Sequence, residues 1–215
     1  MQIRLAKQLG FCYGVKRAIE TAENCIGAKT VHTLGPIIHN PQMVNRLAER
    51  GIYPAGGLAD IEEGTVIIRS HGVGPQIYEE AQAKNFTVVD ATCPHVKKAQ
   101  QSAAELAQAG YDVVVIGEKN HPEVKSIVEW TLSKAVIVET VSEAEALPHY
   151  SRLGVVVQTT FAGDEFQRIL AVLETKCDEL TVRRTICTAT DERQQAALEL
   201  AQQVDLMIVI GGKNS

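Results

Sequence analysis

The chain has 215 residues, a formal net charge of -5, a pI near 5.7 and 45% hydrophobic content. That is enough apolar material for sizeable cores in roughly one to three small domains, and the acidic balance argues against a nucleic-acid surface built on bulk positive charge. No apolar stretch approaches the ~20 residues of a membrane span, the N-terminus has no apolar signal core, and aromatics at 5% are too few for a base-stacking platform. The expectation is a cytoplasmic protein with neither membrane nor nucleic acid as partner.

Residues 2–6 alternate polar and apolar like a short strand and lead into Gly10-Phe11-Cys12-Tyr13-Gly14. Val15, Ala18, Ile19, Ala22 and Ile26 then recur at helical spacing, with Gly27 as the stop. Residues 29–34 read as a strand. After Gly35-Pro36 and Ile37-Ile38-His39-Asn40, Pro41 opens a helix with Met43, Val44 and Leu47 on its inner face. A short buried strand over 65–69 ends at Ser70-His71-Gly72-Val73-Gly74-Pro75, a helix runs to about residue 84, and a strand over 86–89 delivers the chain to Cys93. A helix over 94–109 closes at Gly110, and a strand over 112–116 leads to Asn120-His121-Pro122-Glu123, where Pro122 opens a helix through Trp130. A strand over 135–138, a short helix over 142–147 and a strand over 154–157 follow, the last ending at Gln158-Thr159-Thr160. A helix over 164–175 and a strand over 180–184 then reach Cys187. A helix over 191–203 and a strand over 206–210 precede Gly211-Gly212-Lys213-Asn214-Ser215.

The offsets reveal a repeat. Asn40, His121 and Ser215 each lie 28 residues after a cysteine, namely Cys12, Cys93 and Cys187. Between them run a helix, a strand and a glycine turn. The segment ending Arg69-Ser70-His71 matches the one ending Gln158-Thr159-Thr160. Spacings of 81 and 94 residues between the cysteines are too long for a solenoid unit. They suit α/β domains, each a parallel sheet with flanking helices. The expected architecture is a trefoil of three pseudo-threefold-related small parallel-sheet domains around a central cluster. Its units are residues 1–92, 93–186 and 187–215, the third incomplete.

Five cysteines, an odd and scattered set without a Cys-x-x-Cys pair, exclude a secreted disulfide framework and local zinc-ribbon or ferredoxin motifs. Cys12, Cys93 and Cys187 each sit between a strand end and a helix start, where unpaired N–H groups stabilise thiolate. Three thiolates suit a 4Fe–4S cluster with one iron open to substrate. A three-cysteine zinc site acting on a phosphorylated substrate is the competing reading, and a non-catalytic phosphate-binding module is a third. Cys25 and Cys177 fall outside the register and read as packing residues.

His39, His71 and His121 lie just past strand ends on the cysteine side of the sheets, with Thr159, Thr160, Asn214 and Ser215 on the same edge. Imidazoles and hydroxyls can jointly hold a diphosphate. His32, His95 and His149 read as ordinary loop or core residues. Glu123, at a helix start, would act as a proton donor only if desolvation or a nearby phosphate raised its pKa. No Gly-x-x-x-x-Gly-Lys-Ser/Thr loop or Gly-x-Gly-x-x-Gly follows the first strand, so no nucleotide cofactor is indicated.

Taken together, Gly10-Phe11-Cys12-Tyr13-Gly14, Ile38-His39-Asn40-Pro41, Arg69-Ser70-His71-Gly72, Asp90-Ala91-Thr92-Cys93-Pro94, Asn120-His121-Pro122-Glu123, Gln158-Thr159-Thr160, Thr185-Ile186-Cys187 and Gly211-Gly212-Lys213-Asn214-Ser215 closely resemble the 4-hydroxy-3-methylbut-2-enyl diphosphate reductases, the IspH/LytB family. The resemblance spans the whole chain. It implies a 4Fe–4S cluster held by Cys12, Cys93 and Cys187, with the open iron binding the substrate's hydroxyl. It implies His39, His71, His121, Thr159 and Ser215 holding the substrate, chiefly its diphosphate, and Glu123 as proton donor. Ferredoxin or flavodoxin would supply two electrons, and isopentenyl and dimethylallyl diphosphates would result. Family members continue past the position of Ser215 with further substrate contacts, and their N-terminal strand packs with domain three. The expectation is therefore that these 215 residues alone are unstable or nearly inactive.

Overall fold

A computed structural model of the protein describes residues 2–211. The first domain holds α1 (Tyr13–Glu23), β1 (Val31–Leu34), α2 (Pro41–Ala48), β2 (Ile52–Ala55), a 3-10 turn (Leu58–Asp60), β3 (Thr65–Ile68), α3 (Pro75–Ala83) and β4 (Thr87–Asp90). The second holds α4 (Pro94–Gln108), β5 (Asp112–Ile116), α5 (Pro122–Glu129), β6 (Val136–Val138), α6 (Val141–Glu145), β7 (Tyr150–Val157), α7 (Gly163–Glu174) and β8 (Cys177–Arg183). Helix α8 (Thr188–Ala201) follows. The strand orders are β2-β1-β3-β4 and β6-β5-β7-β8, and every pairing is parallel. The two sheets are thus topological copies, and the repeat seen in the spacing of residues is a repeat of folded units.

Central strands of a parallel sheet are covered by helices on both faces, so they read as unbroken apolar runs rather than alternation. All four residues of β3 are buried, and Val113 to Ile116 of β5 are 5% exposed or less. Each domain packs these strands into its own cores. Ala18, Ile37, Leu47, Ile52 and Ile67 meet on one face of the first sheet, and Leu34, Val66, Ile68 and Phe86 on the other. The second sheet repeats this with Val114, Ile116, Phe166 and Leu173 against Leu106, Val113, Val115 and Ile127. Parallel strands bring their C-terminal ends to one edge of the sheet. In open α/β folds that edge is where ligands bind.

Two expected strands do not form. Residues 2–6 and 206–210 pair with no strand among the described residues. Ile3, Leu5, Ile208 and Ile210 stand 78%, 76%, 74% and 93% exposed. Apolar patterning marks a segment able to join a sheet, but a strand exists only where a neighbour completes its hydrogen bonds. Conversely, β2 was not anticipated. Pro54 interrupts it, and a proline inside a run argues against a strand. Its place at the sheet edge resolves the conflict, because an edge strand leaves one row of N–H groups unused. Among the described residues no helix is long and apolar enough to cross a membrane.

Candidate active site

Cys12, Cys93 and Cys187 are the N-cap residues of α1, α4 and α8, and none of their side chains caps its helix. Ser, Thr, Asp or Asn would satisfy the orphan N–H groups better, so helix formation does not explain the cysteines. Their backbone settings also repeat. The Cys93 N–H donates to Ser70 O just past β3 (3.0 Å), and the Cys187 N–H donates to Thr159 O just past β7 (2.9 Å). Gly14 packs so tightly on Cys93 that a Cβ there would stand 2.5 Å from its Sγ. Burial pushes the Cys93 thiol up, the N–H groups of His95 and Val96 oppose this, and the Cys12 and Cys187 thiols push it further up. The last effect places the Cys93 sulfur in the field of the other two. Cys25 and Cys177 instead turn back to backbone carbonyls, Thr21 O at 3.4 Å and Leu173 O at 3.5 Å.

His39, His71 and His121 form one cluster, with ring centroids 4.3 to 5.4 Å apart. The first two come from loops of the first domain and the third is the N-cap of α5 in the second. All three are held below the ordinary histidine pKa, first by burial. For His39 the Arg69 guanidinium adds to this while Glu118 opposes it. His71 is lowered to about 2, with His39, His121 and Arg69 contributing after burial. His121 is lowered to about 4, with His39 and Arg69 contributing. The cluster is therefore neutral at ordinary pH. One ring nitrogen from each lies within 4.8 Å of the others, so a metal ion is a geometrical option. The proton inventory of His121 points the other way. Its Nδ1 accepts the Glu123 N–H at 3.1 Å, so the neutral ring keeps its proton on Nε2, which then donates rather than coordinates. His39 Nε2 and His71 Nδ1 are buried without a hydrogen-bond partner among the described residues. The set suits an anion rich in acceptor oxygens.

Glu123 joins the two groups. Its carboxyl is 2% exposed; Oε1 accepts the Thr159 N–H at 2.6 Å and Oε2 the Thr159 hydroxyl at 2.9 Å. Both bonds favour the carboxylate, yet burial outweighs them, and with a small push from Glu118 the group titrates at about 7. Thr159 in turn accepts the Cys187 N–H. Glu123 is thus tied to the histidine cluster by its backbone N–H and to the Cys187 junction by its carboxyl, through Thr159. Thr160 is exposed, and its hydroxyl accepts from Gln158 Nε2 at 2.9 Å. Asn214 and Ser215 lie outside the described residues.

The family model described as LytB protein matches residues 3–215. The chain belongs to the LytB family. It is 50% identical over its full length to the 4-hydroxy-3-methylbut-2-enyl diphosphate reductase of Geotalea uraniireducens, covering 77% of that protein, and 45% identical to that of Aquifex aeolicus, covering 76%. Among solved structures, an (E)-4-hydroxy-3-methyl-but-2-enyl diphosphate reductase, described as the terminal enzyme of the non-mevalonate pathway, is 43% identical. It superposes with a TM-score of 0.78 over 99% of this chain and 78% of the other. The E-1-hydroxy-2-methyl-but-2-enyl-4-diphosphate reductase of Plasmodium falciparum is 33% identical, with a TM-score of 0.90 over 97% of this chain and 68% of the other.

In this LytB chain several residues shape the site without having stood out in the sequence. Ser126 Oγ reaches His71 O at 3.0 Å and Glu123 O at 2.8 Å, and Gln100 Nε2 donates to Ser126 Oγ at 3.1 Å. Trp130 Nε1 donates to Val73 O at 3.0 Å. Helices α4 and α5 thus grip the His71–Val73 loop of the first domain. Gly72, at φ +70°, fits only because it lacks a Cβ, which would stand 2.3 Å from Gln100 Nε2. Gln158, 1% exposed, ties the end of β7 to the β5 loop by accepting the Glu118 N–H at 2.9 Å. Spacing offered no signal for Gln100, Ser126 and Trp130, because a side chain on a helix reads as solvent-facing until a second domain covers it.

Proposed function

We propose that the protein is a 4-hydroxy-3-methylbut-2-enyl diphosphate reductase, converting (E)-4-hydroxy-3-methylbut-2-enyl diphosphate to isopentenyl and dimethylallyl diphosphates at the end of the non-mevalonate route. The placement of Glu123 carries this reading. It lies between a neutral three-histidine cluster suited to a diphosphate and a cysteine junction, and its carboxyl keeps a proton up to about pH 7. The identities of 45% to 50% with reductases of this name support the same substrate.

The donor set fits an iron–sulfur cluster. Three cysteines hold the N-cap positions of helices that their thiols do not cap, and α1 leaves room beside Cys93 only because residue 14 is glycine. Cys12, Cys93 and Cys187 would hold a 4Fe–4S cluster, which when bound supplies two electrons, drawn from a ferredoxin or flavodoxin, and a Lewis-acidic iron for the substrate hydroxyl. The histidines bind the diphosphate through N–H donors, with Thr159, Thr160, Asn214 and Ser215 completing the contacts. This fixes the carbon chain and makes the reaction effectively unimolecular. Glu123 holds the proton that leaves with the hydroxyl as water, and Thr159 fixes the carboxyl's orientation. The carbon–oxygen bond breaks, two electrons and a proton enter the allyl fragment, and the second proton departs in the water. The units 1–92, 93–186 and 187–215 would place one cysteine each at the centre.

Anaerobic reconstitution with iron and sulfide tests this. The expected results are a brown protein containing iron and labile sulfide, and slow formation of diphosphate products with a chemical reductant. Cys93→Ser should lose the colour and Cys25→Ser keep it. Zinc without sulfide in the purified protein would overturn the reading.

A further inference from the structure

We infer that Arg69 is a positioning residue for the substrate, a fixed positive charge behind the three histidines that draws the diphosphate onto them. The inference rests on the proposal that those histidines receive a diphosphate. Neutral imidazoles offer hydrogen bonds but no countercharge, and a diphosphate stripped of water needs both. Arg69 follows β3 directly and stands two residues before His71. Its Nε is buried without a hydrogen-bond partner among the described residues. Gly35, at φ +70°, lies against the guanidinium so closely that a Cβ would stand 2.6 Å from one terminal nitrogen. A glycine there lets the guanidinium lie against the Gly35 backbone. Its field reaches all three histidines.

The guanidinium also lines a cavity of about 230 Å³ between the domains, shared with Gly35, Gly72, Lys125, Ser126 and Glu129. Glu129 is the carboxylate that acts on it. A guanidinium stays protonated when buried, where an amine readily loses its proton. The cavity carries two cations, Arg69 and Lys125, against one carboxylate, so the half-buried guanidinium keeps attraction for an incoming anion.

Titration of the cluster-loaded protein with inorganic pyrophosphate, at fixed pH, tests the assignment. Arg69→Met should weaken binding about tenfold, and Arg69→Lys should recover binding to within about threefold of wild type. Glu129→Gln removes the opposing charge and should tighten binding about threefold, a gain that a folding defect cannot imitate. Equal affinity in Arg69→Met and wild type would overturn the inference. So would equal losses in the Met and Lys variants, which would assign Arg69 to packing, or no gain in Glu129→Gln. His71→Asn is the control for the underlying reading. If it binds as wild type does, the histidine site itself is wrong, whatever Arg69 does. If it loses binding while Arg69→Met does not, only the present inference falls.

Discussion

A carboxyl with almost no exposed surface ordinarily needs a cation beside it. Glu123 has instead the N–H and hydroxyl of one threonine and a histidine ring bonded to its own N–H. That is enough to hold the group in place and too little to keep it ionised, so its pKa rises to about 7. The consequence for turnover is that activity should fall as pH rises through about 7, where the donor loses its proton. Glu123→Gln should lower kcat about 10²-fold and remove that limb of the pH profile, as measured by steady-state assays across pH. Stability carries the same signature. From pH 4.5 to about 7 the folded state keeps a proton that the unfolded chain has released, so stability falls as pH rises, by up to about 3 kcal/mol in all, and is flat above. The Gln variant should lack this slope in denaturant titrations at several pH values. The sequence pointed to Glu123 as a first-turn residue after His121-Pro122. Its burial was not legible there, because Thr159, which covers it, is 36 residues away.

Helix starts are where the chain spends local stability on chemistry. Asn40 caps α2 with a side-chain bond from the Met43 N–H at 2.9 Å, and Thr140 caps α6 by accepting the Glu143 N–H. Cys12, Cys93 and Cys187 hold equivalent positions and make no such bond. A serine oxygen at residue 93 could accept a first-turn N–H. In the cluster-free protein Cys93→Ser should therefore be neutral to stabilising, by up to about 1 kcal/mol, while on the proposed ligand set the same change should remove the cluster. A loss of more than about 2 kcal/mol in thermal or urea unfolding would show that the thiol is a packing group, which typically costs that much to remove. The elements were largely legible because parallel strands and capped helices leave strong local marks, such as Pro41, Pro94 and Pro122 at first helical positions. The failures have one cause. β2 is a strand because β1 lies beside it, and residues 206–210 are not a strand because no described segment does.

At the scale of the whole molecule, the repeat register foretold two copies of one sheet but not how they meet. None of the four apolar cores among the described residues mixes side chains from before and after Cys93. The junction is polar instead, made by Ser126, Gln100 and Trp130 on the His71–Val73 loop. Hydrogen bonds of this kind contribute about 1 kcal/mol each, far less than a domain core, so the domain contact should open before either sheet unfolds. Trp130, the chain's one tryptophan, sits at that contact and reports on it. In urea its fluorescence should change at lower denaturant than the far-ultraviolet ellipticity that follows helices and strands. On the proposed reading pyrophosphate would bridge His39 and His71 of one domain to His121 of the other, and so should raise the first transition more than the second and bring the two together. Coincident transitions without ligand would mean that the polar junction is as strong as the cores, and the separation of packing from site assembly argued from the four clusters would be wrong.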